Sequence, residues 1–191
     1  MKRKSLLPLV LLVLSMGFAS NLQAQKKCKY KERKINPVTG EVIKMSEIKL
    51  ISINNPPPKV LSDNLPFTLG ILKFHNIGGV LQIELYIYFH GILHEYVIPA
   101  GTELGMRLNS GEMLKLYSTR DEVKKVRAQS TDVSSVYSIF FDCSREQMQQ
   151  ISSIGGITAL AIEFEGKNEA FSVKRRNVIK TAEMARCIME D

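Results

Sequence analysis

Three histidines, three cysteines and a pair of closely spaced tyrosines are the residues of this 191-residue chain whose types and spacing could do chemistry. His90 and His94 stand four apart, the spacing that puts two metal ligands side by side on a helix. Here they straddle His90-Gly91, where a strand breaks. A hairpin turning there pairs Phe89 with Ile92, sets His90 at the tip and turns His94 toward Ile87. A third ligand from His75, Glu84 or Glu95 is specified by nothing, so no metal is expected. Acid–base chemistry by Glu84 or Glu95 has no support beyond their presence. The chain has no G-x-S-x-G, phosphate loop, dinucleotide fingerprint or C-x-x-C, and no catalytic residue or cofactor is expected.

The cysteines say more. Cys143 precedes Ser144, a candidate N-cap, where a hydrophobic staple would pack it on Met148. Cys187 falls on the Lys180 and Glu183 side of the last helix, and Cys28 lies in a polar segment. An apolar thiol has little reason to be at either place unless it is bonded. Cys28–Cys187 is the preferred disulfide, with Cys143–Cys187 as the alternative. Tyr86 and Tyr88 share one face of a strand and offer a small platform for a small molecule or a glycan. Cross-strand packing is the plainer role for such a pair.

These residues need elements to position them. Residues 36–40, NPVTG, form a turn between extended segments at 29–35 and 41–53. Pro56, Pro57 and Pro58 mark a connector outside any central strand. A strand at 67–75 turns at Asn76-Ile77-Gly78-Gly79 into the clearest strand, 80–89. Leu81, Ile83, Leu85, Ile87 and Phe89 alternate there with Gln82, Glu84, Tyr86 and Tyr88, the period of a strand with one face in a core. Residues 92–98 return from His90-Gly91. A hairpin of 103–108 and 112–118 turns at Asn109-Ser110-Gly111. Residues 119–135 read as a long polar loop with at most a short strand or helical turn at 121–127.

A strand at 136–142 leads to Ser144, whose capping-box partner is Gln147, and to a short helix over 145–153 ended by Gly155-Gly156. Leu160, Ile162 and Phe164 alternate in the next strand. After Gly166-Lys167-Asn168 the chain pairs back over 169–174. A last helix over 176–189 carries the stripe Val178, Ala182, Ala185, Met189. The fold class expected is α+β, mainly antiparallel β: a sandwich or partly open barrel with a short helix and a C-terminal helix.

Residues 1–24 have the layout of a secretory signal peptide: Lys2, Arg3 and Lys4, then an apolar run over 5–19, then Ala24 as the small residue before a cut. A cut after Ala19 is the alternative. Residues 25–191 would form a single exported β-rich domain, periplasmic or at the cell surface. Without residues 1–24 the chain keeps 23 basic against 19 acidic residues. Residues 26–34 hold six basic and one acidic, and 35–191 hold 17 against 18. The basic character is one short segment: Lys26, Lys27, Lys29, Lys31, Arg33 and Lys34. It suits weak contact with an anionic surface, while nucleic acid is not an expected partner because no basic face with interleaved aromatics is present. Hydrophobic residues make up 45% of the chain, charged residues 24%, and Trp is absent. That composition excludes a disordered chain and a disulfide-rich mini-scaffold.

The segments CKYKERKINPVTGEVIK, IPAGTELGMRLNSGEMLKL and YSIFFDCSREQMQQISSIGGITALAIEF resemble a group of small secreted β-rich proteins of Bacteroidota. Asn36 stands where that group has an acidic residue. The resemblance implies a shared exported β-rich domain and brings no activity and no site residues with it. The expected role is a non-enzymatic exported domain that acts through interactions with a protein or envelope component. The alternative is a small-ligand or glycan module using the outer face of 80–98.

Overall fold

The structure, a computed structural model, describes residues 28–58, 66–91, 96–123, 125–129 and 132–190. Residues 1–27, which include Lys26 and Lys27, and His94 and Glu95 lie outside the described residues. Ten strands form one antiparallel sheet. In chain order the strands are β1 (Glu32–Ile35), β2 (Val42–Ser52), β3 (Phe67–Ile77), β4 (Val80–His90), β5 (Val97–Ile98), β6 (Glu103–Leu108), β7 (Met113–Tyr117), β8 (Glu122–Val123), β9 (Lys125–Gln129) and β10 (Asp132–Asp142). Helix α1 (Arg145–Ser153), β11 (Ile157–Phe164), β12 (Lys167–Ser172) and helix α2 (Arg175–Met189) follow. The large sheet runs β7-β6-β11-β12-β2-β3-β4-β10-β9, with β1 added to β2, and β5 pairs β8 separately. The sheet curls into a half-barrel until Ser118, just past β7, bridges Phe141 of β10.

Alternation explains the curl. Leu72 and Phe74 of β3, Ile83, Leu85 and Ile87 of β4, and Tyr137, Ile139 and Phe141 of β10 all point into the concave side and are fully buried. Each such side chain withdrawn from water contributes roughly 1.5–3 kcal/mol before entropy is counted. Helix α2 lies against β2, β3 and β11 and packs on α1. Its expected stripe is the packed one: Ala182, Ala185 and Met189 are buried, and Val178 lies against the core. Helix α1 starts with the full capping box. Ser144 Oγ accepts from Gln147 N at 3.2 Å, and Gln147 Oε1 accepts from Ser144 N at 2.8 Å. Cys143 and Met148 are both buried beside it.

Three expectations are corrected. Residues 119–135 are not a long loop: they supply β8, β9 and the start of β10, and β9 pairs β10 with Lys125 opposite Val136. Their polar composition reflects the marginal place of β9 and the small buried serines, Ser134 and Ser135, that open β10 where an apolar stripe would otherwise stand. The hairpin of 80–89 with 92–98 does not form. Both edges of β4 are taken, since Phe89 pairs with Thr68 of β3 and Ser135 of β10; β5 goes to β8 instead. The β11–β12 turn is Glu165-Gly166, at φ 48° and 72°, so β12 begins at Lys167 and the pairing starts earlier than the apolar pattern suggested.

Cys28 and Cys187 are joined by a disulfide, with Cα atoms 5.5 Å apart, and Cys143 is a buried free thiol. Cys187 is only 5% exposed. It does not face water beside Lys180, because the chain at 28–30 lies over the end of α2. A helix end leaves its last carbonyls without partners, and here four neighbours supply donors. Tyr30 OH donates to Cys187 O at 2.8 Å and Asn76 Nδ2 to Ile188 O at 2.8 Å. Arg145 Nη2 reaches Met189 O at 3.5 Å, and the buried Lys44 Nζ donates to Glu190 O. Two of the donors are cations, which also suit the negative end of the helix dipole.

Candidate functional site

The polar side of β4 faces outward and is the densest meeting of titratable groups among the described residues. Register decides which groups meet. A two-residue turn at Gly78-Gly79 pairs Ile77 with Val80, and this sets Lys73 opposite Glu84 and His75 opposite Gln82. On the other side Phe140 faces Glu84 and Ser138 faces Tyr86. Glu84 is therefore ringed by donors: Lys73 Nζ at 2.8 Å and Ser138 Oγ at 2.9 Å on Oε1, and His75 Nε2 at 2.9 Å on Oε2. The carboxylate is only 4% exposed. Burial pushes its pKa up, but the hydrogen bonds from His75, Lys73 and Ser138 and the charge of Lys73 outweigh that and bring it to about 2. An anion so engaged is a weak base and a poor nucleophile. It is an electrostatic anchor for the outer face.

The tyrosines lie further along the same strand. The Lys73 ammonium stands 5.1 Å from the centre of the Tyr86 ring, a cation–π contact that ties Tyr86 to the Glu84 cluster. Tyr88 OH accepts from Ser134 Oγ at 2.9 Å and lies 3.3 Å from His90 Nδ1. The Phe67 ring packs on His90 at 4.5 Å and near Tyr88 at 6.4 Å. Tyr86 and Tyr88 are thus both half-buried and both partnered.

The two described histidines, His75 and His90, do not come together. His75 and His90 sit opposite Gln82 and Phe67, positions about 26 Å apart along the strand pair. Among the described residues, one group of possible ligands converges, Cys28, Cys187 and Glu190. Its two sulfurs are bonded to each other and offer no thiolate. The third cysteine is no nucleophile either, because burial pushes the Cys143 thiol up to about 12.

A separate open cleft of about 530 Å³ lies between β5 and the β11–β12 turn, lined by Val97, Pro99, Thr102 and Phe164 with the carboxylates Glu163 and Glu165. Glu165 accepts from Val97 N at 3.2 Å.

Comparison of the chain with protein families, with curated proteins and with solved structures gave no match. The reading of function therefore rests on the chain's own residues.

Sequence reasoning placed Glu84, Tyr86 and Tyr88 on one face. It missed Lys73, His75 and Ser138 as the groups that enclose Glu84. The signal for two of them was present. A tight turn at Gly78-Gly79 makes the numbers of opposed residues on β3 and β4 sum to a constant, and that alone sets Lys73 opposite Glu84. Ser138 had no such signal, because β10 reaches β4 from a distance of some fifty residues along the chain.

Proposed function

We propose that the mature chain is an exported, non-enzymatic domain that works in the periplasm or at the cell surface by binding an envelope component. The observation that carries this reading is the Cys28–Cys187 disulfide across 159 positions of sequence. Such bonds persist in oxidising compartments and are rare where thiols are kept reduced. The tripartite segment at 1–24 supports the same conclusion independently. Against catalysis stand the chemical states of the best candidates: Glu84 has its oxygens occupied by three donors, and Cys143 is buried and protonated. N-terminal sequencing of the protein from fractionated cells tests export. A start at Gln25 in the envelope or periplasmic fraction supports it, and an intact Met1 in the cytosol overturns it. Chemical crosslinking in intact envelopes then reports the component bound.

A second reading makes the outer face of β4 a small-ligand or glycan site. The half-exposed rings of Phe67, Tyr88 and His90 favour it, since neighbouring aromatic rings beside hydroxyl groups suit a sugar face. Titration with an oligosaccharide panel, followed by ¹H NMR of the Tyr88 and His90 rings, tests it. Saturable shifts of the Tyr88 and His90 ring protons, with those of His90 lost in Tyr88→Ala, support it, and unmoved resonances in the wild type refute it.

A further inference from the structure

Two neighbouring hairpin tips carry four of the nine exposed large hydrophobic side chains among the described residues. Val38, in the β1–β2 turn, is 91% exposed, and Ile35 beside it is 68% exposed. Val80 and Ile77 flank the β3–β4 turn at 56% and 40%. The tips adjoin: Ile43 pairs with Ile77, and Gly78 N donates to Val42 O at 3.2 Å. Four aliphatic residues thus share one end of the sheet, Ile77 and Val80 on one face, Ile35 on the other and Val38 in the turn, more than the solitary exposed apolar residue that would need no explanation.

The same end carries the chain's concentrated positive charge. Lys29, Lys31, Arg33 and Lys34 lie on or just before β1, the strand that leads into the Val38 turn. The disulfide and the Tyr30 hydrogen bond fasten this segment to α2, so its charge is held beside the tips. Two of these lysines have acidic neighbours, Lys34 with Glu32 at 2.6 Å and Lys31 with Glu47 at 3.2 Å, yet their side chains stay 69% and 61% exposed. Glu41 adds a carboxylate at the turn, so the four cations outnumber the three carboxylates by one. Residues 26–34 hold six basic residues against one acidic, whereas 35–191 are nearly balanced.

We propose that the paired tips of the β1–β2 and β3–β4 hairpins, with the basic β1 segment beside them, dock the protein on an anionic lipid surface. Apolar side chains at the tips enter the boundary between headgroups and acyl chains, and the lysines and arginine meet lipid phosphates. Charge selects this occupant over a second copy, which would bring the same positive segment against itself. The proposal deepens the envelope-binding reading and rests on it for the place where such lipid is met.

The test uses the oxidised mature chain and flotation with vesicles of phosphatidylglycerol and phosphatidylcholine, against vesicles of phosphatidylcholine alone. Binding to the anionic vesicles, strongly weakened at roughly 0.5 M salt where charges are screened within a few ångströms, is expected. Val38→Asp and Val80→Asp should each lower the partition coefficient by about tenfold. Arg33→Glu should weaken it as well, and Tyr86→Ala on the outer face should leave it unchanged. Val38 and Val80 are exposed, so unchanged melting temperatures accompany the loss. No binding to anionic vesicles, equal binding to neutral ones, or tip variants that bind normally would overturn the proposal. So would tip variants whose effect is loss of self-association without vesicles. Vesicle binding is read in solution and export in cells, so a failure of one is distinguishable from a failure of the other.

Discussion

Glu84→Gln combined with acid titration tests the electrostatic account of the outer face. In the folded protein the carboxyl is held at about 2, against 4.5 for the free group. A depressed folded pKa adds stability that is fully present above the unfolded value and is lost as pH falls through the folded one. The window is therefore pH 4.5 down to about 2. A shift of this size corresponds to roughly 3 kcal/mol at full weight. Lys73 and His75 are 20% and 14% exposed at their side chains, and solvent screening reduces the figure to about 2 kcal/mol. Glu84→Gln removes the charge while keeping the shape. Urea unfolding at a series of pH values should find the variant about 2 kcal/mol less stable at pH 7. The wild-type curve should descend to meet it near pH 2. A gap that stays constant between pH 7 and pH 2, or no gap at pH 7, would refute the reasoning.

Reducing the Cys28–Cys187 bond, which closes a loop of about 160 residues, should cost up to about 5 kcal/mol. Calorimetry with and without reductant should show Tm falling by roughly 10–15 °C, and an unmoved Tm would refute the entropic account. Gly156→Ala should destabilise by more than about 3 kcal/mol, because a Cβ there would lie 2.1 Å from Val178 O at a φ of 97°. Gly155→Ala, with its nearest contact at 3.2 Å, should cost only about 1 kcal/mol, and equal losses in denaturant melts would contradict the close-approach argument. Cys143, buried and with its thiol near 12, should resist a disulfide-exchange reagent at pH 8 until urea is added; labelling of the folded protein at the rate of a free thiol would show otherwise.

What the sequence made legible follows from the range of each signal. The strand at 80–89, the hairpin across Asn109-Ser110-Gly111 and the helix starting at Ser144 are encoded by residues within ten positions of one another, and each forms as its pattern implies. The disulfide was legible for another reason: a thiol on the charged side of a helix asks for a partner. The failures are places where partners come from afar. The polar stretch 119–135 looked like loop because β9 at the sheet margin needs no apolar period and the buried places that open β10 are taken by serines. Residues 96–98 looked like the return arm of a hairpin because local turn chemistry at His90-Gly91 carries no information about strands already on either side of β4. Glu84 looked exposed because alternation assigns a face and says nothing about the lysine, histidine and serine that close over it. Gly156 read as a helix stop, which it is; its second task, to let α2 approach so closely that Ile157 N reaches Thr181 Oγ1 at 2.7 Å, depends on a helix some twenty residues away.

The fastening at the end of α2 has a bearing on how the chain assembles in time. Its donors are Tyr30, Lys44, Asn76 and Arg145, while the carbonyls they serve belong to residues 187–190. A polypeptide appears with its N-terminal side first. The early donors therefore spend most of synthesis without the acceptors that will hold them. Strand β2 finds β1 and β3 early, but its edge at Ile51 and Ser52 stays open until β12 appears. No compact intermediate built from the first hundred residues can be sealed, and sealing by contacts so distant in sequence is intrinsically slow. Until α2 arrives the strand set stays pliant, and residues 187–190 act as the bolt that converts it into a closed body.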